Sequence, residues 1–389
     1  MRAFTTLKKL SLAAATAAAF GAAAHGQDVI NIGYTGPLSG GAAQYGKNVL
    51  SGIEMGVDEV NAAGGVTIKG KTYTFKVIAL DDQYNPAQAA INGRRLVEQD
   101  KTPVIFCPHA GGIFALQTFN TQANFLLMAY SSVPSITQAG NKLTIRIPPS
   151  FASYVPAYAH TEMKLFGKSV GLAPSDTDYG KAWSKIFREG WEKAGGKVVA
   201  DNPISYNKSA DFYSGVSRVL AAKPDVMFVG GPSEPTALVV KQARDLGFKG
   251  GFAVMDQAKF DEMAKVLGGY APMDGSIGVL PLVSDTRPAM KGYVAAYAKS
   301  HGGTVPTSEM AFNYTMVHAL AAAMKMAGSA TDATAIRADM SAALKSLPAS
   351  ENPQDFTGID SNGGTESDAF LALIQDGKLR QAKISELVK

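Results

Sequence analysis

Val29-Ile30-Asn31-Ile32-Gly33-Tyr34-Thr35-Gly36-Pro37-Leu38-Ser39-Gly40-Gly41 decides the fold of this chain. A short β-rich run, Val29 to Tyr34, passes into a turn crowded with glycine, proline and serine. A helix follows, with Leu50, Ile53, Val57 and Val60 on one face at helical spacing. Asn61-Ala62-Ala63-Gly64-Gly65 ends it, because glycine allows the positive φ of a C-terminal cap. Working outward, Tyr73 to Leu80 is the next strand. Asn85-Pro86 opens the next helix, with Asn as cap and Pro in its first turn. Thr102 to Phe106 and Leu126 to Tyr130 read as further strands. Strands separated by helical stretches imply βαβ units and a parallel sheet.

The pattern restarts after Ile147-Pro148-Pro149. A helix from Phe151 to Phe166 leads to a strand from Ser169 to Ala173. A helix near Lys181 to Ala194 follows, then strands at Lys197 to Ala200, Val226 to Val229 and Phe252 to Met255. Helices at Pro288 to Ser300, Glu309 to Ala327 and Thr334 to Ser346 come next, with few strands between them. Two such runs joined by a Pro-rich crossing predict two α/β lobes. In the second, Trp183, Phe187, Trp191 and Ala194 recur at helical spacing and read as a core stripe.

The first residues have a different logic. Arg2, Lys8 and Lys9 precede an apolar run from Leu10 to Phe20, and small residues follow up to Gly26. That is the layout of a secretory signal peptide, expected over residues 1–26. The run is too short to span a bilayer, which needs about 20 apolar residues. No cysteine stands near the cut, which argues against a lipid anchor. The chain is therefore expected to work outside the cytoplasm, in the periplasm, without an integral membrane segment. Three cations leave with this leader, so the formal charge of +4 becomes +1. A near-neutral surface gives no electrostatic reason for nucleic-acid binding. An apolar content of 46% against 18% charge excludes a largely disordered chain.

Residues with chemical potential are few. Gly41-Ala42-Ala43-Gln44-Tyr45-Gly46-Lys47-Asn48 nearly fits a phosphate loop, but Asn48 stands where a magnesium-holding hydroxyl is needed. Asp81 and Asp82 could pass for the matching acid, and the export signal weighs against both. His25, His109, His160, His301 and His318 show no metal-ligand spacing, so no metal is expected. Cys107 is the only cysteine and lacks an evident base; it reads as a buried thiol. No nucleophile elbow occurs. Neither an enzyme nor a bound cofactor is expected. Two loops do look like ligand loops: Cys107-Pro108-His109-Ala110-Gly111-Gly112 and Ser131-Ser132-Val133-Pro134. Both follow strand carboxyl ends, where open α/β sheets bind ligands.

Together with Tyr45-Gly46 and Asp58-Glu59-Val60-Asn61-Ala62-Ala63-Gly64-Gly65-Val66, the opening stretch resembles the leucine/isoleucine/valine-binding protein family. Asp81-Asp82 with Pro86, Asp178-Tyr179-Gly180, Asp211-Phe212, Lys223-Pro224-Asp225, Lys241-Gln242-Ala243-Arg244 with Gly247, and Phe356-Thr357-Gly358 extend the resemblance. Those proteins are the extracytoplasmic solute receptors of ABC importers. The resemblance implies a type I periplasmic binding fold of two Rossmann-like, parallel-rich lobes joined by three hinge crossings. The crossings are expected near Ile147 to Ser150, Leu280 to Ser284 and Gln354 to Gly358. Lobe one would comprise residues 27–148 and 282–355, and lobe two residues 149–281 and 356–389. The implied partners are a small solute and a membrane permease, with the receptor itself a monomer.

The resemblance also implies a site. The positions that hold a ligand carboxylate fall on Ala110 and Ser132, beside Ser131. Ala110 lacks the usual hydroxyl, but the N–H of neighbouring Gly111 can donate. Tyr45 falls on the tyrosine that closes over the ligand, and Tyr179 on a pocket tyrosine. Pro232 replaces another pocket aromatic, and Tyr130 adds one at the rim. The acid that holds a ligand ammonium falls near Asp256-Gln257, with alignment favouring Gln257, which has no charge. A site without that acid would suit a carboxylate solute lacking an ammonium. The candidates are thus a hydrophobic amino acid, an aromatic acid or an amide, with a ligand-sensing module as the alternative role.

Overall fold

The computed structural model describes residues 28–367 and 370–388. The expected leader over residues 1–26 lies outside them. Among the described residues, no helix is long and apolar enough to cross a membrane.

The first half builds strands β1 (Asp28–Gly36), β2 (Val66–Ile68), β3 (Lys71–Asp81), β4 (Val104–Cys107), β5 (Leu126–Ala129) and β6 (Thr144–Arg146). They form one sheet in the order β2-β3-β1-β4-β5-β6. All pairs are parallel except β2 with β3. Every residue of β4 and β5 is buried, as expected of strands covered on both faces. The helix Ala43–Ala62 lies against the helix Ser308–Ala327; at Gly52 an added Cβ would come 2.3 Å from the Met310 carbonyl oxygen, so only glycine allows that approach. The helix Ser308–Ala327, in the last quarter of the chain, thus returns to the first lobe, as the family resemblance implied.

The second half builds β7 (Ser169–Pro174), β8 (Lys197–Asp201), β9 (Val226–Gly230), β10 (Gly251–Val254) and β11 (Ser276–Val279). A small hairpin, β12 (Gly358–Ile359) with β13 (Thr365–Glu366), stands apart. Strands β14 (Phe370–Gln375) and β15 (Lys378–Lys383) then complete the second sheet, in the order β15-β14-β11-β10-β9-β7-β8. The stripe on the helix Asp178–Lys193 buries Trp183, Phe187 and Trp191 completely, whereas Ala194 is the exposed C-cap.

One sequence boundary moves. Phe356 and Ile359 are buried in the first lobe's core, and Gly364 bridges Arg146 beside β6. Ser341, on the helix Ala333–Ser346, exchanges hydrogen bonds with the backbone of Ile359. The third crossing therefore follows β13 rather than lying at Gln354 to Gly358, because this hairpin finds its apolar and hydrogen-bonding partners on lobe one.

In each sheet the chain starts on an interior strand and builds to both sides of it. From β1 it moves to β3 on one side and then to β4 on the other; from β7 it moves to β8 and then to β9. Such reversals open a crevice at the strands' carboxyl ends. The two crevices face each other.

Candidate functional site

The loops leaving β4, β5 and β10 carry the site. Cys107 ends β4, and His109 caps the helix Ala110–Gln117 by accepting the Gly112 N–H at Nδ1, 3.0 Å away. The other ring nitrogen lies 2.9 Å from buried Asp82 Oδ2, so Nε2 carries the hydrogen. Tyr84 stacks on this ring at 4.6 Å. Asp82, Cys107 and His109 bring ligand-type atoms within 4.8 Å of one another. Both His109 nitrogens are already committed, so the trio is a wall support and not a metal cradle. Burial pushes the Cys107 thiol well above its ordinary range, as an inert thiol requires.

A chamber holding about 330 Å³ of empty space opens beside this wall. From lobe one, Tyr45, Ala110, Tyr130, Ser131 and Ser132 line it; from lobe two, Tyr179, Asp256 and Gln257 do. Gly111 does not line it: a Cβ there would meet Pro86 at 2.7 Å and Asp178 at 3.1 Å. Pro232 is elsewhere too, capping the helix Ser233–Asp245. Tyr84 and Lys259 belong to the chamber and went unrecognised in the sequence; His109, read there only as part of a ligand loop, lines it too.

The polar groups are arranged in two banks. On lobe one, Ser131 and Ser132 are buried, and neither hydroxyl has a partner among the described residues. The Tyr45 hydroxyl donates to the Pro108 carbonyl at 2.7 Å, which fixes its ring over the chamber. On lobe two, Asp256 Oδ1 accepts from the Tyr179 hydroxyl at 2.6 Å and from the Trp183 indole N–H at 2.8 Å. Its Oδ2 has no partner among the described residues. Burial, then the negative charge of Asp256, raise the Tyr179 pKa well above the ordinary value, so the phenol stays a donor. Gln257 points across the cleft, its amide nitrogen donating to the Tyr84 hydroxyl at 3.2 Å.

Two further contacts join the lobes. Lys259 Nζ lies 3.0 Å from Glu309 Oε1, and both side chains are buried. Burial opposes the ammonium charge, but Glu309 and Asp256 outweigh it and hold the Lys259 pKa above its usual value. The Asn48 amide donates to Glu262 Oε1 at 2.7 Å. The residue that breaks the phosphate-loop pattern is thus an interlobe contact. Glu262 is pushed up to about 7 by burial, then by the nearby negative charge of Glu309.

The sequence model of the periplasmic binding protein family matches residues 29–378. An amino acid binding protein of Pseudomonas aeruginosa is 26% identical over 325 residues, 82% of this chain and 85% of that one. The Leu/Ile/Val-binding protein of Escherichia coli is 25% identical over 291 residues, 74% of this chain and 77% of its own length. Among solved structures, the branched-chain amino acid transporter substrate binding protein LivJ of Streptococcus pneumoniae, in complex with isoleucine, has a TM-score of 0.74. It is 24% identical, covering 92% of this chain and all of its own. A solute binding protein of an ABC transporter from R. palustris, in complex with benzoate, has a TM-score of 0.76 at 17% identity, covering 91% of this chain and 96% of that one. With the paired sheets, the facing crevices and a family match over nearly its whole length, the chain belongs to the periplasmic binding proteins.

Proposed function

We propose that this chain is the extracytoplasmic receptor of an ABC importer and captures an α-amino acid by closing its two lobes. The observation that carries the reading is the placement of Asp256. Its Oδ1 is held by Tyr179 and Trp183, while Oδ2 is partnerless in a chamber whose opposite bank is Ser131 and Ser132. Hydroxyls suit a ligand carboxylate, and a fixed carboxylate suits its ammonium, since charge-assisted bonds are each worth about 1.5–3 kcal/mol. Asp256, not Gln257, is the proposed counter-ion. Among the described residues no ion pair ties Lys259 directly to the Asp256 carboxylate; its ammonium pairs with Glu309. Similarity to amino acid and Leu/Ile/Val binders supports the same class.

The mechanism follows from the two banks. Solute entering the open cleft meets Ser131 and Ser132 on lobe one. Closure then brings Asp256, Tyr179 and Gln257, and this contact exists only in the closed form, so ligand shifts the population toward it. No bond of the solute is broken. The closed receptor hands its solute to a permease, and it acts as a monomer in the periplasm.

Substitution separates the two banks. Asp256→Asn should weaken amino-acid binding by about a hundredfold, and Ser132→Ala by about tenfold, in titration calorimetry, taking about 1.4 kcal/mol per factor of ten. Full affinity in both variants would refute the assignment. Unchanged binding of a carboxylate lacking an amino group by Asp256→Asn, with no amino acid bound by the parent, would favour a simple organic acid.

Closure should also take up a proton. Opening exposes Glu262 and returns it to the ordinary carboxylate range, whereas in the closed form it titrates at about 7. A group whose value is raised by closing favours closure fully below its ordinary range. That advantage fades as pH rises toward 7 and is gone above it. Ligand affinity is therefore expected to fall by up to about a hundredfold between pH 4.5 and 7, then level off. The neighbouring charges are Asp261, Glu309 and Lys259. Glu262→Gln should flatten the profile; a parent protein with constant affinity across this range would contradict the assignment.

A further inference from the structure

Beyond the chamber just described, toward the hinge, lies a second space that the amino-acid head group does not need. It holds about 660 Å³ of empty volume including its mouth, twice the first. Tyr130, Pro148, Asp256 and Lys259 line both, so the two are continuous at Asp256, the residue proposed to hold the ammonium.

The walls of this space are specific in kind. Tyr130, Tyr154, Phe312 and Phe370 present four aromatic rings, with Leu282 and Met290 completing the apolar surface. The Tyr130 and Phe312 rings are tilted at 5.9 Å, and each is held by a second ring, Tyr45 behind Tyr130 and Phe356 behind Phe312, so the aromatic wall is fixed in place. The hydroxyls of Tyr130 and Tyr154 have no partner among the described residues. The charged groups there other than Asp256 are already satisfied. Arg287 grips Asp285 through Nε and a terminal nitrogen, the latter at 2.6 Å, and Lys259 is paired with Glu309. Among the described residues lining the space, Asp256, proposed to take the ligand ammonium, is the one charged group with an unpartnered oxygen, which leaves no counter-ion for a charged tail, and burying an unpaired charge is costly.

We infer that the hinge-side space is the side-chain pocket and that it selects amino acids with a large, uncharged, aromatic side chain over branched aliphatic ones. Aromatic rings recognise rings by offset or edge-on contact, which adds to the gain from burying their area. A branched aliphatic side chain would reach fewer of these walls than a planar ring does, and unfilled apolar space forfeits dispersion contacts. The free phenol hydroxyls give a polar tip such as a phenol or indole N–H somewhere to bond. This inference rests on the head-group reading above.

Titration calorimetry of the intact mature protein with phenylalanine, tyrosine, tryptophan, leucine, isoleucine and valine tests it. At least one aromatic amino acid should bind ten times or more tightly than any aliphatic one. Leu280→Trp, in the wall of the space and only half-buried, should cost the aromatic ligand at least tenfold more than it costs valine. If Leu280→Trp fails to fold, the parent's ligand ranking decides alone. Equal or tighter binding of leucine, isoleucine or valine by the parent would overturn the inference and leave the amino-acid receptor standing. Equal losses for valine and the aromatic ligand in Leu280→Trp would also overturn it. Binding of no amino acid at all would overturn both.

Discussion

Glu309→Ala is expected to leave the receptor unable to close, lowering its affinity for solute by a factor of a hundred to a thousand or more. The variant strands Lys259, 5% exposed in the closed form, without its only carboxylate partner. Removing one member of a buried pair costs about 3–5 kcal/mol, because the remaining charge has lost both water and counter-ion. The two residues sit on opposite lobes, so the cost falls on the closed form alone. In the open form, water solvates Lys259. Small-angle scattering at saturating ligand should therefore show the parent compact and the variant extended. Thermal unfolding without ligand should change little. The double variant Lys259→Met with Glu309→Leu removes both charges and should recover most of the affinity, since apolar residues of similar volume can replace a buried pair without loss. A single variant that closes and binds like the parent would show that the pair does not control closure.

Trp183→Ala should destabilise the second lobe by about 3–5 kcal/mol, the usual cost of deleting a large buried aromatic. The indole is fully buried, stacked on Phe151 at 4.4 Å and packed near Tyr158 and Phe228. Deletion also frees Asp256 Oδ1 from one of its two donors. Trp183→Phe keeps a ring in the stack but not the N–H, and so separates the effects. It should cost far less stability, read by chemical denaturation, yet still weaken amino-acid binding severalfold. Unchanged binding in Trp183→Phe would leave the indole as packing alone.

The contrast between these two sites explains what could be read from the sequence. Trp183, Phe187 and Trp191 stand at helical intervals, and burial at that period is a local property, so the core stripe was legible. The bond from Trp183 to Asp256 joins residues 73 positions apart, and no spacing announces it. Lys259 and Glu309 are likewise isolated charges in sequence; only closure of the lobes makes them a pair. Tyr84 and His109 became site residues through stacking across two different loops. Local misreadings also have physical causes. Gly111-Gly112 read as part of a loop, yet His109 caps a helix there, and glycine is needed because a Cβ at Gly112 would come 2.6 Å from the His109 ring. The hairpin of β2 and β3 was missed because its turn, Lys69-Gly70, places a lysine at φ 49° where asparagine would have been the usual signal. Family resemblance carried what spacing could not, bringing eight of the nine expected residues to one chamber.

The order in which the chain is made gives one architectural detail a further meaning. The first sheet is covered by the helix Ser308–Ala327, and the second is finished by β14 and β15, which pair onto β11 from residue 370 onward. Neither lobe can complete its core until nearly all of the polypeptide has left the ribosome. A nascent chain of 250 residues has most of its strands but lacks the segments that seal them. Contacts this distant in sequence form slowly, because the loop between them must close first. Late sealing disfavours folding during synthesis, and an unfolded chain is the form that the proposed export would thread across a membrane.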